Sequence, residues 1–482
     1  MMATLSLAAR NLLRNRRRSL ATVLAVALGA ASILLFGGYS ANIRYSMETA
    51  YARTGGHLQI QHRDFLLYGN GNPTAYGIKD GAKLLAALRS DETLRDMVVV
   101  ATPTLQFGGI AGNYAASVSR TVVGLGLVAQ DHSLMREWNH YRIPLISPPF
   151  KLTGSRPEAA IIGVGVARVL QLCAELKIAD CPTPAKEEAA AGGAMPNDIA
   201  MLTAAESMNS AKNSAKNTAK TGAAAPLAAP PASATRIELL ASTARGTPNV
   251  ASLEVIDAEG QGFKELDEVY IAVHLAQAQR LVYGAAPPQV TAIMVQLKRP
   301  DMLPAARARL TEMLPQWSGA QPLTVLDLET LNPFFVQTVQ LFATIFGFIF
   351  TLIGGIVLFT VSNTMNTAVV ERTVEIGTLR AMGLRQRGIR QLFVTEGVVL
   401  GLLGAVVGAF LALLIAALVN VLGLEWMPPG SAEPLPLVLR VWGETATIVG
   451  VTLGLIAVAT ASAWWPAYRA ARLNVVDALR HV

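Results

Sequence analysis

The stretch VERTVEIGTLRAMGLRQRGIR, from Val370 to Arg390, carries five arginines and two glutamates directly after the longest charge-free run of the chain. No Asp, Glu, Lys or Arg lies between Glu329 and Glu371. A run of this length predicts a helix in lipid, because about 20 apolar residues cross roughly 30 Å of hydrocarbon. The abrupt change from apolar to charged sequence therefore indicates a membrane boundary near Glu371.

Three further runs lack charge, and they are Ser19–Ile43, Gly397–Leu424 and Thr445–Tyr468. The chain is 52% hydrophobic and only 15% charged, whereas a soluble domain has about 25% charged residues. We therefore predict a membrane protein with four transmembrane α-helices at 20–41, 335–370, 393–422 and 444–466. The first run exceeds the roughly 7–15 apolar residues of a secretory signal, so we expect it to be retained as a helix.

Arginine placement predicts the orientation of these helices, since positive residues favour the cytoplasmic side. The segments 1–19, 371–392 and 467–482 together carry a net charge of +10, which leaves −3 for the rest of a chain of net charge +7. We predict that these three segments are cytoplasmic and that 42–334 and 423–443 lie outside. The basic residues belong to this topology, so no nucleic-acid partner is expected.

The large outer region, 42–334, has the mixed patterning of an α+β domain. His57–Gln61 and 290–297 read as strands, 301–314 reads as a helix, and Ala111–Asn113 reads as a turn between two strands. Residues 183–235 differ, because they are dominated by Ala, Lys, Asn, Ser, Thr and Pro. Such a tract buries too little apolar surface to offset its ordering entropy, so we expect a flexible insertion there.

The two cysteines, Cys173 and Cys181, precede this insertion. An oxidising outer compartment favours a disulfide between them. On one continuous helix they would lie about 12 Å apart, too far for a bridge. A bridge therefore requires the helix to end near 176–177, and two unpaired thiols remain the alternative.

Several catalytic patterns are absent from the sequence. It has no G-x-x-x-x-G-K-[ST] nucleotide motif, no H-E-x-x-H, no G-x-S-x-G and no metal-ligand spacing, so no catalytic or metal site is expected. Gly124–Ala129 spells G-x-G-x-x-A, which we interpret as chance glycines in a sheet. Glu396 and Glu444 are expected only at helix ends, so an ion-driven transporter is disfavoured and energy is expected to come from another chain.

As a helix, the opening stretch has two distinct sides. The apolar side, expected to rest on the protein's own helices, holds Val370, Val374, Gly377 and Ala381. The side expected to face a partner holds Glu371, Glu375, Leu379 and Met382. Gly383 predicts the helix end. An interfacial helix whose arginines bind anionic lipid headgroups is the alternative, and the residues alone leave both interpretations open.

A second pattern lies in the third predicted helix, where four glycines share one face at i, i+4, i+7 and i+11. They are Gly397, Gly401, Gly404 and Gly408. Glycines at this spacing let two helices approach closely. The face could serve a dimer, but we prefer packing against this chain's own helices.

The stretch VERTVEIGTLRAMG resembles the cytoplasmic signature of MacB/FtsX/LolCE-type ABC transporter permeases. The arginine-rich start LAARNLLRNRRRS, the phrase GHLQI, the ending PAYRAARLNVVDALR and the four-helix layout are also similar. The resemblance implies an ATPase-coupling site, and its residues are Glu371, Arg372, Glu375, Ile376, Gly377, Leu379, Arg380, Ala381, Met382 and Gly383. The insertion at 183–235 departs from the family pattern.

The resemblance also implies a biological setting. The chain would be a non-enzymatic permease subunit of the bacterial inner membrane, with both termini cytoplasmic and the large domain periplasmic. Its partners would be cytoplasmic ABC ATPase subunits that bind ATP and Mg²⁺, a second permease copy or paralogue, membrane lipid, and a periplasmic or outer-membrane protein. The substrate would be a lipoprotein, lipid, peptide or drug. The alternative is a non-transporting permease that relays motion to periplasmic hydrolases.

Overall fold

The computed structural model describes residues 10, 11, 14, 16–69, 71–144, 149–178, 235–317, 321–427 and 434–473. Most of the predicted insertion and the end of the tail lie outside these residues. The described helices are α1 Arg16–Thr54, α2 Phe65–Tyr68, α3 Gly81–Ser90, α4 Glu92–Met97, α5 Ala129–Arg136, α6 Val164–Val169, α7 Lys264–Asp267, α8 Leu275–Tyr283, α9 Leu303–Trp317, α10 Leu328–Leu331, α11 Pro333–Glu371, α12 Thr373–Ala381, α13 Gln386–Leu422 and α14 Thr445–Ala471. The strands are β1 Leu58–His62, β2 Val98–Asn113, β3 Val118–Leu127, β4 Ala159–Gly163, β5 Arg236–Ser242, β6 Pro248–Glu259, β7 Tyr270–His274, β8 Ala292–Leu297, β9 Leu323–Asp327, β10 Glu425–Trp426 and β11 Leu435–Pro436.

Four helices, α1, α11, α13 and α14, are long and apolar enough to cross a membrane. They coincide with the four predicted spans, except that α14 begins at Thr445, one residue after the predicted start, and a sheet-rich domain lies between the first and the second, as predicted. Both α1 and α11 have 39 residues, or about 60 Å at 1.5 Å per residue, twice the thickness of the hydrocarbon core. Each is therefore longer than one membrane crossing requires, and one end of each leads into the sheet-rich domain.

The glycine face of α13 lies inside this four-helix bundle. A Cβ added at Gly397 would lie 2.5 Å from the Cβ of Ala463 in α14, and one added at Gly408 would lie 2.5 Å from the carbonyl oxygen of Ala27 in α1. Gly401 and Gly404 meet the same two helices. The face therefore serves packing within the chain, which leaves it closed to a second copy.

The outer domain is organised by one long strand, β2, which takes part in two sheets. Its first half, 98–104, pairs with β8, and the sheet continues through β1 to β9. Its second half, 105–113, closes a ring with β3, β7, β4, β6 and β5. Helices α3, α4 and α9 cover the open sheet, and α6 and α8 contribute to the core of the ring.

The hairpin between β2 and β3 differs from the sequence prediction. Ala111–Asn113, expected as a turn, continues β2 and pairs with Val118–Arg120. The turn follows at 114–117, where Ser117 takes a φ of 55°. Pairing with both β3 and β5 keeps Gly112 extended, so the strand overrides the local turn preference. The G-x-G-x-x-A glycines lie in or beside β3 as ordinary sheet residues, and the ring of Phe107 fills the space beside Gly124.

Helices α1 and α11 enter the outer domain side by side. Strand β1 begins four residues after the end of α1, and β9 leads through α10 into α11. These strands are antiparallel neighbours, with Leu58 opposite Asp327 at the end nearest both helices. The start of α11 is well capped, since the Asn332 side chain accepts the Phe335 N–H at 3.1 Å and Pro333 occupies the first helical position.

The junction of α1 with the outer domain contains a buried histidine, His57, which is 3% exposed. Its Nδ1 accepts the Leu297 N–H at 3.1 Å, and its ring lies edge-on to Trp138 at 4.7 Å. Nearby, Gln296 donates to the carbonyl oxygen of Ala52 at 2.7 Å, which fastens the end of α1 to the sheet. Burial, and to a smaller extent the charge of His140, lowers the pKa of His57 to about 4.

Acidification is expected to destabilise the outer domain through His57. Between pH 6.5 and about 4 the unfolded chain binds a proton that the folded chain excludes, so stability is full above pH 6.5 and falls as the pH falls. The pKa shift corresponds to about 3 kcal/mol at pH 4. Thermal unfolding of the detergent-solubilised chain across this range measures the effect, and His57→Gln should reduce the slope. An unchanged slope in that variant would contradict the assignment.

Candidate functional site

The charged stretch forms a short helix, α12, joined to α11 by a single residue. Helix α11 ends at Glu371 and α12 begins at Thr373, so only Arg372 lies between them, with φ −105° and ψ 18°. The break leaves backbone carbonyls without helical partners. The Thr373 hydroxyl donates to the carbonyl oxygens of Val369 and Val370 at 3.1 and 2.8 Å. The break between the two helices is therefore stabilised by local hydrogen bonds.

The end of α12 is a Schellman motif built on Gly383, which confirms the predicted terminator. Gly383 takes a φ of +97°. Its N–H donates to the Arg380 carbonyl at 3.0 Å, and the Leu384 N–H donates to the Leu379 carbonyl at 3.0 Å. Glycine adopts this left-handed conformation without a steric cost. The chain then turns directly into α13.

The two glutamates of the stretch are paired within the chain. Arg14 donates to both carboxylate oxygens of Glu375, at 2.6 and 2.9 Å, and Arg18 donates to Glu371. All four side chains remain at least partly exposed, so each pair contributes about 1 kcal/mol or less. We predicted that the glutamates face a partner; in the structure they are exposed and paired with Arg14, just before α1, and with Arg18, in the first turn of α1.

The buried side of α12 differs from the prediction. Val370, Val374 and Ala381, which were expected to rest on the bundle, are exposed. The buried residues are Ile376, Gly377 and, just before the helix, Arg372. The reason is that Arg372 finds a buried partner, which rotates the arginine side of the helix toward the protein. The remaining predicted residues are half-buried Leu379 and Arg380 and exposed Met382.

Sequence reasoning missed the centre of this site, which is Glu396. It lies ten residues inside α13 rather than at the helix end where we expected it. Arg372 Nη1 donates to Glu396 Oε1 at 2.9 Å, and their side chains are 8% and 2% exposed. The side-chain amide of Asn11 donates to the same carboxylate oxygen at 2.7 Å. The backbone carbonyl of Asn11 accepts a hydrogen bond from Arg372 Nη2 at 3.1 Å. The sequence signal that could have identified Glu396 is its position as a single carboxylate directly before the charge-free run that begins at Gly397.

Arginines also stack on aromatic rings at this end of the bundle. Arg390 lies 5.2 Å from the centre of the Trp464 ring, and Arg469 lies 5.5 Å from that of Trp465. Both tryptophans are exposed, which is the usual arrangement at a lipid–water interface. The same helix ends thus combine an arginine-rich surface with an aromatic belt.

At the opposite end of the bundle, a cavity of about 270 Å³ lies among α1, α11 and the start of α14. Its walls are mainly apolar and include Val339, Phe342 and Phe346. Arg44 and Glu444 supply charges of both signs. The cavity therefore has the mixed character that suits an amphiphile.

Of the two cysteines, Cys173 is disulfide-bonded. Helix α6 ends at Val169, before Cys173, so the helix does not hold the cysteines apart. Cys181, the other cysteine of the chain, lies outside the described residues, and so does the geometry of the predicted bridge.

Comparison with known proteins agrees with this architecture. Residues 344–475 match the family described as FtsX-like permease C-terminal. The chain is 36% identical over 143 residues to the macrolide export ATP-binding/permease protein MacB of Escherichia coli strain K12, which covers 30% of this chain and 20% of that protein. It is 39% identical over 146 residues to the MacB of Shigella flexneri, with the same coverage.

The matched region spans about a fifth of the length of these curated relatives. The family match at 344–475 includes the charged stretch 370–390 with α12, the glycine face of α13 and all of α14. The resemblance read from VERTVEIGTLRAMG is thereby confirmed. Residues 344–475, which include most of α11 and all of α12, α13 and α14, match the FtsX-like permease C-terminal model, in agreement with a resemblance to ABC transporter permeases of the FtsX/MacB type.

Proposed function

We propose that this chain is a permease subunit of an ATP-driven ABC transporter, in which α12 receives the motion of an ATPase and α11 delivers it to the outer domain. The observation that carries this proposal is the single-residue connection of α12 to α11. Helix α11 then runs for 39 residues without a break to the edge of the outer sheet. A displacement of α12 therefore has a continuous path to β9.

The ATPase is proposed to be a separate cytoplasmic chain that binds ATP and Mg²⁺, because this sequence has no Walker-type motif. The arginine distribution supports a cytoplasmic position for α12, with the large domain in the periplasm of a bacterial inner membrane. The surface available to the ATPase combines exposed Val374 and Met382 with the ion pair of Glu375 and Arg14. An apolar centre with a charged rim is typical of protein interfaces.

Met382→Glu is expected to release this ATPase, because Met382 is 72% exposed beside the end of α12. A carboxylate at the centre of an interface should reduce co-purification about tenfold or more. The measurement is the amount of soluble ATPase recovered with the tagged chain in detergent. Met427→Glu, directly after β10 and 56% exposed, is the matched control and should retain the ATPase. Equal recovery from both variants would refute the proposed coupling surface.

We propose that a second permease copy or paralogue binds along α11. On its exposed side, four small residues recur at four-residue spacing, and they are Ala343, Gly347, Thr351 and Gly355. Among the described residues, no heavy atom lies within 4 Å of a Cβ added at Gly347 or Gly355, leaving out the helix's own backbone and the chain neighbours. Small residues at this spacing support close helix–helix contact in membranes. The glycines of α13 are already covered within the chain, so α11 is the better candidate.

A hydrophobic or envelope-associated substrate, such as a lipoprotein, lipid, peptide or drug, is proposed on the outer side. The mainly apolar cavity near Phe342 and Phe346 supports an amphiphilic molecule. The size of the outer domain favours transport over the alternative, a permease that only relays motion to periplasmic hydrolases. Reconstitution of the complex distinguishes the two. ATP-dependent movement of a lipid or lipopeptide supports transport, and ATP-dependent hydrolase activity without movement supports the alternative.

A further inference from the structure

We propose that Glu396 is a positioning residue that fixes the pivot of α12. Through Arg372 it holds the one residue between α11 and α12 against α13. This inference rests on the proposed function, because it takes α12 as the element that an ATPase moves. Glu396 lies outside the charged stretch, and the coupling residues predicted from the sequence do not include it.

The joint itself has the features of a pivot. Arg372 interrupts the regular helix, yet the hydrogen bonds continue on both sides, from the Arg372 N–H to the Ala368 carbonyl at 3.2 Å and from the Ile376 N–H to the Arg372 carbonyl at 2.9 Å. The Thr373 hydroxyl satisfies the carbonyls freed by the break. The helix is therefore interrupted at one defined residue, Arg372.

The side chain of that residue is anchored by buried charge. Arg372 and Glu396 form an ion pair away from water, and Asn11 bonds to both of them. Buried charges need these partners, because an unpaired charge inside a protein is strongly unfavourable. These contacts therefore fix the position of Arg372 relative to α13, even when α12 moves.

The base of the anchor is rigid, whereas the two glutamate ion pairs beside the joint are exposed. Gly397, the neighbour of Glu396, is where α13 and α14 meet, since a Cβ there would lie 2.5 Å from the Cβ of Ala463. By contrast, the carboxylates of Glu371 and Glu375 are about half exposed, and their ion pairs can exchange with water. Ile376 is buried against the bundle and Arg380 donates to the Leu473 carbonyl, so a tilt of α12 about Arg372 would exchange these contacts while α13 and α14 remain in place.

The test separates this role from simple stability. Either single replacement leaves a buried charge unpaired and should unfold the protein, so the informative variant is the double Arg372→Met/Glu396→Leu. Replacing both partners with apolar residues should keep the unfolding temperature within about 5 °C. The readout is hydrogen–deuterium exchange at 323–332, the segment that joins the outer sheet to α11, in the complex with its co-purified ATPase before and after Mg-ATP and vanadate.

We expect the double variant to retain the ATPase and to lose the nucleotide-dependent exchange response by about fivefold or more. The matched control is Arg120→Met/Glu268→Leu, an ion pair of the outer domain, which should leave the response intact. A double variant that folds, binds the ATPase and responds normally would overturn the inference. Loss of the ATPase would also overturn it, because the pair would then shape the docking surface. If the unmodified complex shows no response at 323–332, the proposed function fails together with the inference.

Discussion

Gly408→Leu is expected to abolish the folded membrane bundle. A Cβ at Gly408 would lie 2.5 Å from the Ala27 carbonyl oxygen and 2.5 Å from the Ala30 Cβ, so α13 and α1 would have to separate. Overpacking a core costs about 1–3 kcal/mol when side chains can yield. Here a backbone oxygen is the obstacle, so we expect a larger loss, with little monodisperse protein after detergent extraction.

Gly450→Leu is the matched control for this variant. Gly450 lies in α14, and among the described residues no heavy atom lies within 4 Å of a Cβ added there, apart from the helix's own backbone and the chain neighbours. Leucine is also the better helix former, by somewhat less than about 1 kcal/mol. The variant should therefore elute from a sizing column as the unmodified protein does. If Gly408→Leu and Gly450→Leu elute alike, the close α1–α13 contact is wrong.

Gly355→Leu is expected to dissociate a second permease subunit while leaving each chain folded. The position is exposed on α11, so a larger side chain meets no part of its own chain among the described residues. In a close helix pair the same side chain would separate the two backbones and remove their contact. We expect the subunit affinity to fall about tenfold or more, which corresponds to at least 1.4 kcal/mol.

Subunit mass in lipid nanodiscs or by native mass spectrometry measures this effect. The control is again Gly450→Leu, the same substitution at an open position on a different helix. Two subunits in the control and one in Gly355→Leu would support association through α11. Two subunits in both would place the second copy elsewhere, without affecting the assignment of α12.

Much of the membrane half could be predicted from sequence, because lipid imposes simple rules. Charge-free runs located α1, α11, α13 and α14, and the four-residue glycine spacing located one packed face. The ring in the outer domain could not be predicted in this way. It depends on β2 pairing with three different strands, some of them more than 100 residues away, and local patterning does not encode such partners.

Helix α12 shows that sequence-based prediction has the same limit at the level of single residues. Its existence and its end at Gly383 followed from local signals. Its rotation did not, because that is decided by the ion pair of Arg372 with Glu396 on another helix. The pairing of Glu375 with Arg14 joins residues 361 positions apart, so a pattern within α12 carries no trace of it.

The pairing of β1 with β9 limits how α1 and α11 can move. Both helices attach at the same end of this strand pair, where Leu58 faces Asp327. If one helix advanced along its axis past the other, the strands would slip in register, and a slip of one residue would turn buried Leu58 and Ile60 toward water. The strand pairing thus opposes sliding of one helix along its axis past the other, but it permits both helices to tilt together. Under the proposed function, a force applied at α12 should therefore reach the sheet-rich domain as a swing of both helices together.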